Sequence, residues 1–399
     1  MPSSGRRRPS PGIVRRRRSA LLGAALLALL LGAAVGAVGG ERGGVGGAAP
    51  VETTAEVPGA LERARVDVAR MPLERQVGQL LVVSFPGTTA PRYLLDALRE
   101  GRVAGTILFG GNAPSAGSVR ALAARLQRAA RAAPGSAPAI VCLDQEGGAI
   151  RTLRFAPSSA GQAAQPTPAA ARAAAAATAR SLRATGVNVT LGPVADVAAG
   201  TPGSVMAGRA YPGSSAAVAA AVRAAVAAYL RGGVLPVAKH FPGLGGARTN
   251  TDDAAARVER TRAQLAADLA PFRAAVEARA PLVMLGHARY PALDPNRIAS
   301  QSHAIATDLL RERMHFEGVA MTDSLEAQAA LQTTGGDVGD AALRSLRAGA
   351  DLLLMTGPGS FPLVRDALLA AARRSPAVRS RVGEAATRAL ALRRSLPTR

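Results

Sequence analysis

The chain is predicted to fold as α/β, a single (β/α)8 barrel of the TIM type. Three observations carry that prediction. Eight short apolar runs alternate with eight alanine- and arginine-rich stretches of helical length. The connections are mostly short, which argues for parallel strands joined by right-handed crossovers. Apolar residues make up 48% of the 399 but aromatics only 3%, and tryptophan is absent, so Ala, Val and Leu must build a core of helices packed on strands. An open doubly wound sheet is the rival arrangement. It would want a glycine-rich phosphate loop after its first strand, and Ser84-Phe85-Pro86-Gly87 is not one.

The elements follow in order. Arg15 to Arg18 precede an uncharged apolar run over residues 20–38, the layout of an export signal or, uncleaved, of a membrane anchor. Residues 39–70 lack a sustained period and read as a linker leading into a first helix. The barrel region then spans residues 71–399. Its strands are expected at residues 79–85, 105–109, 139–143, 187–194, 235–238, 282–285, 319–322 and 351–355, where β-branched or leucine-rich runs occur. Its helices are expected at residues 118–133, 169–184, 215–231, 260–278, 304–313, 340–348, 362–373 and 380–394, where good helix formers accumulate.

A net charge of +22 invites a nucleic-acid reading, but eight arginines against one glutamate lie within residues 1–42. With few aromatics to stack on bases and no reading motif, nucleic acid is not an expected partner. A basic surface facing anionic envelope polymers fits the charge better. The single cysteine, Cys142, sits inside an apolar run and reads as a buried hydrophobe, so no disulfide and no metal cluster is expected.

Barrel chemistry gathers at the carboxyl ends of the strands. Asp144 follows the third strand, Asp196 the fourth, with Arg209 in the loop beyond. Lys239 and His240 end the fifth, His287 the sixth and Asp323 the seventh. Lys239 is the one lysine among 49 basic residues, kept where a compact ammonium is needed and a planar guanidinium would not serve. Taken alone, Asp196 reads equally as a loop-ordering cap, Arg209 as a surface charge, and His287 as a structural histidine or a ligand contact. Their convergence on one mouth sets the bland readings aside. Phosphate loops, the HExxH spacing and a GxSxG elbow are missing, so neither metal nor cofactor is implied. Carboxylates with Arg, Lys and His suit a neutral polyhydroxylated ligand.

The ordered set Leu73-Glu74-Arg75-Gln76-Val77-Gly78-Gln79-Leu80-Leu81, Asp144-Gln145-Glu146-Gly147-Gly148, Pro193-Val194-Ala195-Asp196-Val197, Lys239-His240-Phe241-Pro242-Gly243 and Met321-Thr322-Asp323-Ser324-Leu325 resembles glycoside hydrolase family 3. It is most similar to the family's single-domain β-N-acetylhexosaminidases. The resemblance implies that Asp323 is the nucleophile of a retaining glycosidase. It implies that Asp144, Arg209, Lys239 and His240 hold the sugar, with Arg151 matching a further family arginine one residue off its spacing. His287 joins these as a substrate-binding candidate. One departure stands out. The family's acid/base histidine, on the loop after Lys-His-Phe-Pro-Gly, is replaced here by Asp252 within Asn250-Thr251-Asp252-Asp253. Asp252 is the candidate acid/base, provided burial or the Asp323 charge raises its pKa, since solvent exposure would leave it ionised; Asp253, His287 or no residue at all are the alternatives for the role. The expected function is an exported hydrolase of β-linked N-acetylglucosaminides or related envelope glycans. It would be a monomer, touching the membrane only through its N-terminus. A glycan-binding relative that has lost turnover is the alternative.

Overall fold

A computed structural model describes residues 57–397; the expected export segment at 1–38, and most of the expected linker, lie outside the described residues. Eight parallel strands close in sequence order: β1 Leu81–Val83, β2 Gly105–Ile107, β3 Ile140–Leu143, β4 Val189–Thr190, β5 Leu235–Phe241, β6 Leu282–Leu285, β7 Val319–Ser324 and β8 Leu352–Met355. Closure comes from β8 pairing back onto β1, with Leu81 opposite Leu353.

Strand alternation sorts side chains into two cores. Val82, Ile140, Cys142, Leu235, Val237, Leu282, Met284, Val319, Met321, Leu352 and Leu354 fill the barrel interior. Val83, Val141, Leu143, Ala238, Val283, Leu285, Ala320 and Leu353 face outward into the surrounding helices. The final helix, Pro376–Ser395, runs past the amino-terminal end of the barrel, where Leu392 and Leu396 join the interior core. Arg393 of the same helix donates to the carbonyls of Pro138 at 3.0 Å and Ala137 at 2.8 Å. Small, aliphatic side chains let helix and sheet approach closely, as the composition requires.

The structure departs from the expectations in several places, among them an unexpected helix Arg92–Arg99 between β1 and β2. Helix Val57–Ala69 lies inside the stretch read as linker; Ala64 and Val68 are buried, and Asp67 pairs with Arg394 of the final helix at 2.5 Å. The helix expected over residues 260–278 is two, Arg262–Asp268 and Ala270–Glu277, because Pro271 cannot continue a helix from the preceding turn. Residues Ala304–Arg313 are wound with π rather than α hydrogen bonding. Two short antiparallel ribbons occupy loops above the strands, one of Gln145–Gly147 with Ile150–Arg151, the other of Arg289–Tyr290 with Asp294–Ile298. Among the described residues no helix is long and apolar enough to cross a membrane.

Candidate active site

The interior face of the barrel is apolar until it reaches the mouth, where the alternation continues in charged residues. Ile140 and Cys142 lead to Asp144, Leu235 and Val237 to Lys239, and Val319 and Met321 to Asp323. Each site residue is therefore the next inward position of its strand. Register irregularities fall on the same strands, between Ala238 and Phe241 of β5 and between Met321 and Ser324 of β7. An irregularity of this kind re-aims side chains, and here Lys239 and His240, neighbours in sequence, both enter the site. Phe241 points out and meets Phe272 edge to face, ring centroids 5.3 Å apart.

Lys239 sits at the centre of a four-residue ion cluster. Its Nζ lies 2.5 Å from Asp144 Oδ1 and 2.7 Å from Glu146 Oε1. Arg209 grips Glu146 with both arms of its fork, Nε at 2.9 Å and a terminal nitrogen at 2.7 Å. The cluster carries two charges of each sign. Lys239 and Glu146 lie beneath, with side chains 3% and 2% exposed, while Asp144 and Arg209 remain 28% and 26% open to the mouth. Burial alone would push Glu146 up, but Lys239 and Arg209 overcome it and hold its carboxyl down at about 2. For Lys239 burial likewise opposes the charge, and Asp144 and Glu146 outweigh it to raise the ammonium above its usual range. Gly147 makes the turn that presents Glu146: its φ is +100°, and a Cβ there would lie 2.4 Å from the Ala160 carbonyl oxygen.

The sequence reading did not place Glu146 among the site residues. The one signal in the sequence is a second carboxylate two residues beyond Asp144; that it is buried, and so needs more than one cation, only the structure shows.

His240 is oriented from behind by Asp196. The Nδ1 lies 2.8 Å from Asp196 Oδ2, while Asp196 Oδ1 accepts from the backbone N–H of His240 at 3.2 Å and of Leu244 at 2.6 Å. With Nδ1–H given to that fully buried carboxylate, Nε2 faces Asp323 Oδ2 at 3.9 Å. Asp196 thus orders its loop and the histidine at once.

Asp323 stands at the end of β7 with Oδ1 accepting from the N–H of Ser324 at 2.8 Å. Burial would raise its pKa, but His240, His287 and Lys239 hold the carboxyl below its ordinary value, so it is a carboxylate at neutral pH. The turn after it is braced from several sides. His287 Nε2 bonds the Ser324 carbonyl at 2.8 Å, and Ser324 Oγ meets Thr356 Oγ1 at 2.6 Å and Glu326 at 3.1 Å. His287 itself is fully buried, and its Nδ1 is engaged by Ser300 at 2.8 Å. With both ring nitrogens occupied, His287 has no atom left for a sugar. The geometry makes it a support for the Asp323 turn, a correction to its listing among direct substrate contacts.

Asp252, on the loop after β5, is exposed and close enough to feel the Asp323 charge. Two backbone bonds fix that loop to the short helix Gln328–Leu331, from Gln328 N–H to the Asp252 carbonyl at 3.2 Å and from Ala329 N–H to the Thr251 carbonyl at 3.0 Å. Desolvation and the nearby Asp323 charge push the Asp252 carboxyl above its ordinary value. The loop's departure from the barrel depends on Gly245, where a Cβ would lie 2.0 Å from the Val197 carbonyl oxygen. Arg151 lies on the small ribbon opposite Gln145, half-buried, with Nε lacking a hydrogen-bond partner among the described residues. Thr152 N–H bonds the Asp144 carbonyl at 2.9 Å, which sets that ribbon beside the cluster. The structure therefore gathers Asp144, Arg209, Lys239, His240 and Asp323, brings Asp252 within reach of the Asp323 charge, sets Arg151 alongside, and spends both ring nitrogens of His287 on Ser300 and Ser324. Among the described residues no group of three or more His, Cys, Asp or Glu is arranged to hold a metal.

A recessed carboxylate kept ionised stands beside a charged cluster at the mouth, with a second carboxyl of raised pKa near enough to feel its charge. Comparison with known proteins gives the family. The model of the glycosyl hydrolase family 3 N-terminal domain matches residues 72–392. An uncharacterized secreted glycosyl hydrolase of Arthroderma benhamiae is 34% identical over 292 residues, 71% of this chain and 81% of the relative. A beta-hexosaminidase of Xanthomonas oryzae pv. oryzae is 33% identical over 290 residues, 70% of this chain and 84% of that one. The structure of a family 3 beta-N-acetylglucosaminidase from Paenibacillus sp. FPU-7 superposes with a TM-score of 0.76 at 32% identity, covering 82% of this chain and 64% of that longer one. A beta-N-acetylhexosaminidase from Beutenbergia cavernae gives 0.73 at 32% identity, covering 82% and 99%. Barrel, mouth and family match coincide, and this chain is a glycosidase of glycosyl hydrolase family 3.

Proposed function

We propose that the protein is a retaining β-N-acetylhexosaminidase acting on a β-linked N-acetylglucosaminide of the cell envelope. The observation that carries this reading is a pair of carboxyls pushed apart: Asp323, at the end of β7 beside His240, is held below its ordinary pKa, and Asp252 is pushed above its own in part by the Asp323 charge. In the first step an Asp323 oxygen bonds the anomeric carbon as the glycosidic bond breaks, and the leaving oxygen takes the Asp252 proton. In the second, water gives a proton to the Asp252 carboxylate and its oxygen displaces Asp323 from the anomeric carbon, with net retention. Asp144 and Arg209, the open members of the cluster, would bind sugar hydroxyls, with Lys239 fixing Asp144 and His240 lying beside the nucleophile. Arg151, with a free donor on the adjoining ribbon, would add a further hydroxyl contact. Export is supported by the basic and apolar run at the N-terminus and by the secreted description of the Arthroderma relative. The hexosaminide preference rests on the named relatives.

The test compares wild type with Asp252→Ala on two N-acetyl-β-glucosaminides, an aryl glycoside with a good leaving group and a natural disaccharide. Loss of the acid should slow the disaccharide by roughly 10²–10⁴-fold and the aryl glycoside far less, and added azide should speed the aryl reaction by replacing the base-assisted attack of water. Equal slowing of both substrates, with no azide effect, removes Asp252 from the mechanism. A wild type inert on both substrates would make the chain a glycan binder.

A further inference from the structure

A groove of about 1160 Å³ opens between the Arg289–Tyr290 and Asp294–Ile298 ribbon and the segment that includes helices Gln328–Leu331 and Val338–Ala348. It shares no lining residue with the ion cluster or with Asp323, yet its rim begins at Ala255, on the loop that carries Asp252. Arg257, Arg289, Arg297, Arg344 and Arg347 line it, against only two carboxylates, Asp294 and Asp340. Both acids are already engaged. Asp340 pairs with Arg344 at 2.7 Å, and Asp294 accepts from Ser302 Oγ at 2.6 Å and from the N–H groups of Asn296 and Arg297 at 2.9 and 3.1 Å. Arg257 is paired with Glu259 at 2.7 Å. Among the described residues the Arg289 and Arg347 side chains make no hydrogen bond or ion pair, and Arg297 senses Asp294 only through space.

A second, independent feature points to a ligand. Gln301 is 3% exposed and lines the groove; its Oε1 accepts from Thr333 Oγ1 at 3.0 Å, but its Nε2 has no acceptor. A buried amide donor left unmade is costly, and an acceptor on a molecule bound in the groove that Gln301 lines would satisfy it. Guanidinium forks together with an amide N–H suit carboxylate or phosphate oxygens, which they meet in paired, charge-assisted bonds. The cavity is far larger than one anion needs, and it lies on the same loop as the candidate acid. We propose that this groove binds the carboxylate or phosphate groups of an acidic glycan strand. This inference does not depend on how the glycosidic bond is cleaved.

The experiment uses the full chain and a fluorescent oligogalacturonide, followed by anisotropy at moderate salt, with inorganic phosphate as competitor. The variant Arg297→Gln/Arg347→Gln should weaken oligogalacturonide binding at least tenfold. A charge-matched control on the outer helix, Arg128→Gln/Arg131→Gln, should change it less than twofold. Gln301→Met, with its melting temperature measured to confirm folding, should weaken binding at least threefold. Turnover of a small aryl glycoside should stay within twofold of wild type in the Arg297/Arg347 variant, which separates this site from the catalytic one. Displacement only at phosphate concentrations far above the oligogalacturonide Kd assigns the site to a glycan strand. Phosphate binding as tight as the oligomer and lost in the groove variant would overturn the glycan source. Equal loss in groove and control variants, or no binding, would overturn the groove itself and leave only the protein's diffuse positive charge.

Discussion

Glu146 shows how much of the site depends on one buried charge. Its folded pKa, about 2, lies below the ordinary 4.5. A depressed carboxyl contributes its stability above the unfolded value and loses it as pH falls through the folded one. The window here runs from about 4.5 down to about 2, and the shift corresponds to about 3 kcal/mol. We therefore expect wild type to lose stability steeply across that range in urea titrations, whereas Glu146→Gln should be destabilised at neutral pH and lose less over the same interval, where Asp323 and Asp351 still titrate. Parallel curves for the two proteins would contradict the assignment. Lys239 was legible in the sequence because it is the lone lysine, and Asp323 because it ends an apolar run. Glu146 was not, since sequence gives no measure of which of two close carboxylates is buried. Nor could spacing decide that His287 would spend both nitrogens on Ser300 and Ser324, which lie 13 and 37 residues further on.

The loop after β5 is the element on which the chemistry turns. It leaves the barrel through Gly243 and Gly245, is held by Asp196 at Leu244, and is pinned to helix Gln328–Leu331 at Thr251 and Asp252. The proposed acid, Asp252, is thus tied by two backbone bonds to the segment that follows Asp323. We expect Gly245→Ala, whose methyl would collide with the Val197 carbonyl, to displace this loop. The kcat for a natural disaccharide should fall at least tenfold, with a smaller effect on an aryl glycoside, because the fault lies in protonation. Equal effects on both substrates would mean the collision is relieved elsewhere. Short continuous apolar runs located every barrel strand, because strands are apolar on both faces in a closed parallel barrel. The ribbons escaped that reading since their strands are two to five residues long and mostly polar. The break at Leu269 escaped because Pro271 was absorbed into a long helical pattern.

The barrel divides its two ends between chemistry and stability, as the architecture leads one to expect. At the closed end Asp351 is fully buried beneath Arg311, Arg381 and Arg388; Arg381 approaches to 2.7 Å and Arg388 to 3.3 Å. Burial opposes its charge, but the three guanidinium groups hold its pKa below the ordinary value. These contacts tie helix 304–313 and the final helix to the start of β8, so Asp351→Asn should lower unfolding stability by about 3–5 kcal/mol. Below the variant's melting temperature, kcat should be unchanged. A variant as stable as wild type would show that the arginines are satisfied by backbone carbonyls alone. The closed order of strands was legible because eight strand–helix repeats have few other ways to close. The charge excess was legible too, but its gathering into a groove depends on which helix faces meet. The most direct measurement of the catalytic account is peptide mapping after reaction with a 5-fluoro-N-acetyl-β-glucosaminyl fluoride, which keeps the 2-acetamido group while slowing breakdown of the glycosyl-enzyme of a retaining glycosidase. The label should sit on the peptide containing Asp323 and disappear in Asp323→Asn. A label on another carboxylate, or full turnover by Asp323→Asn, would contradict it.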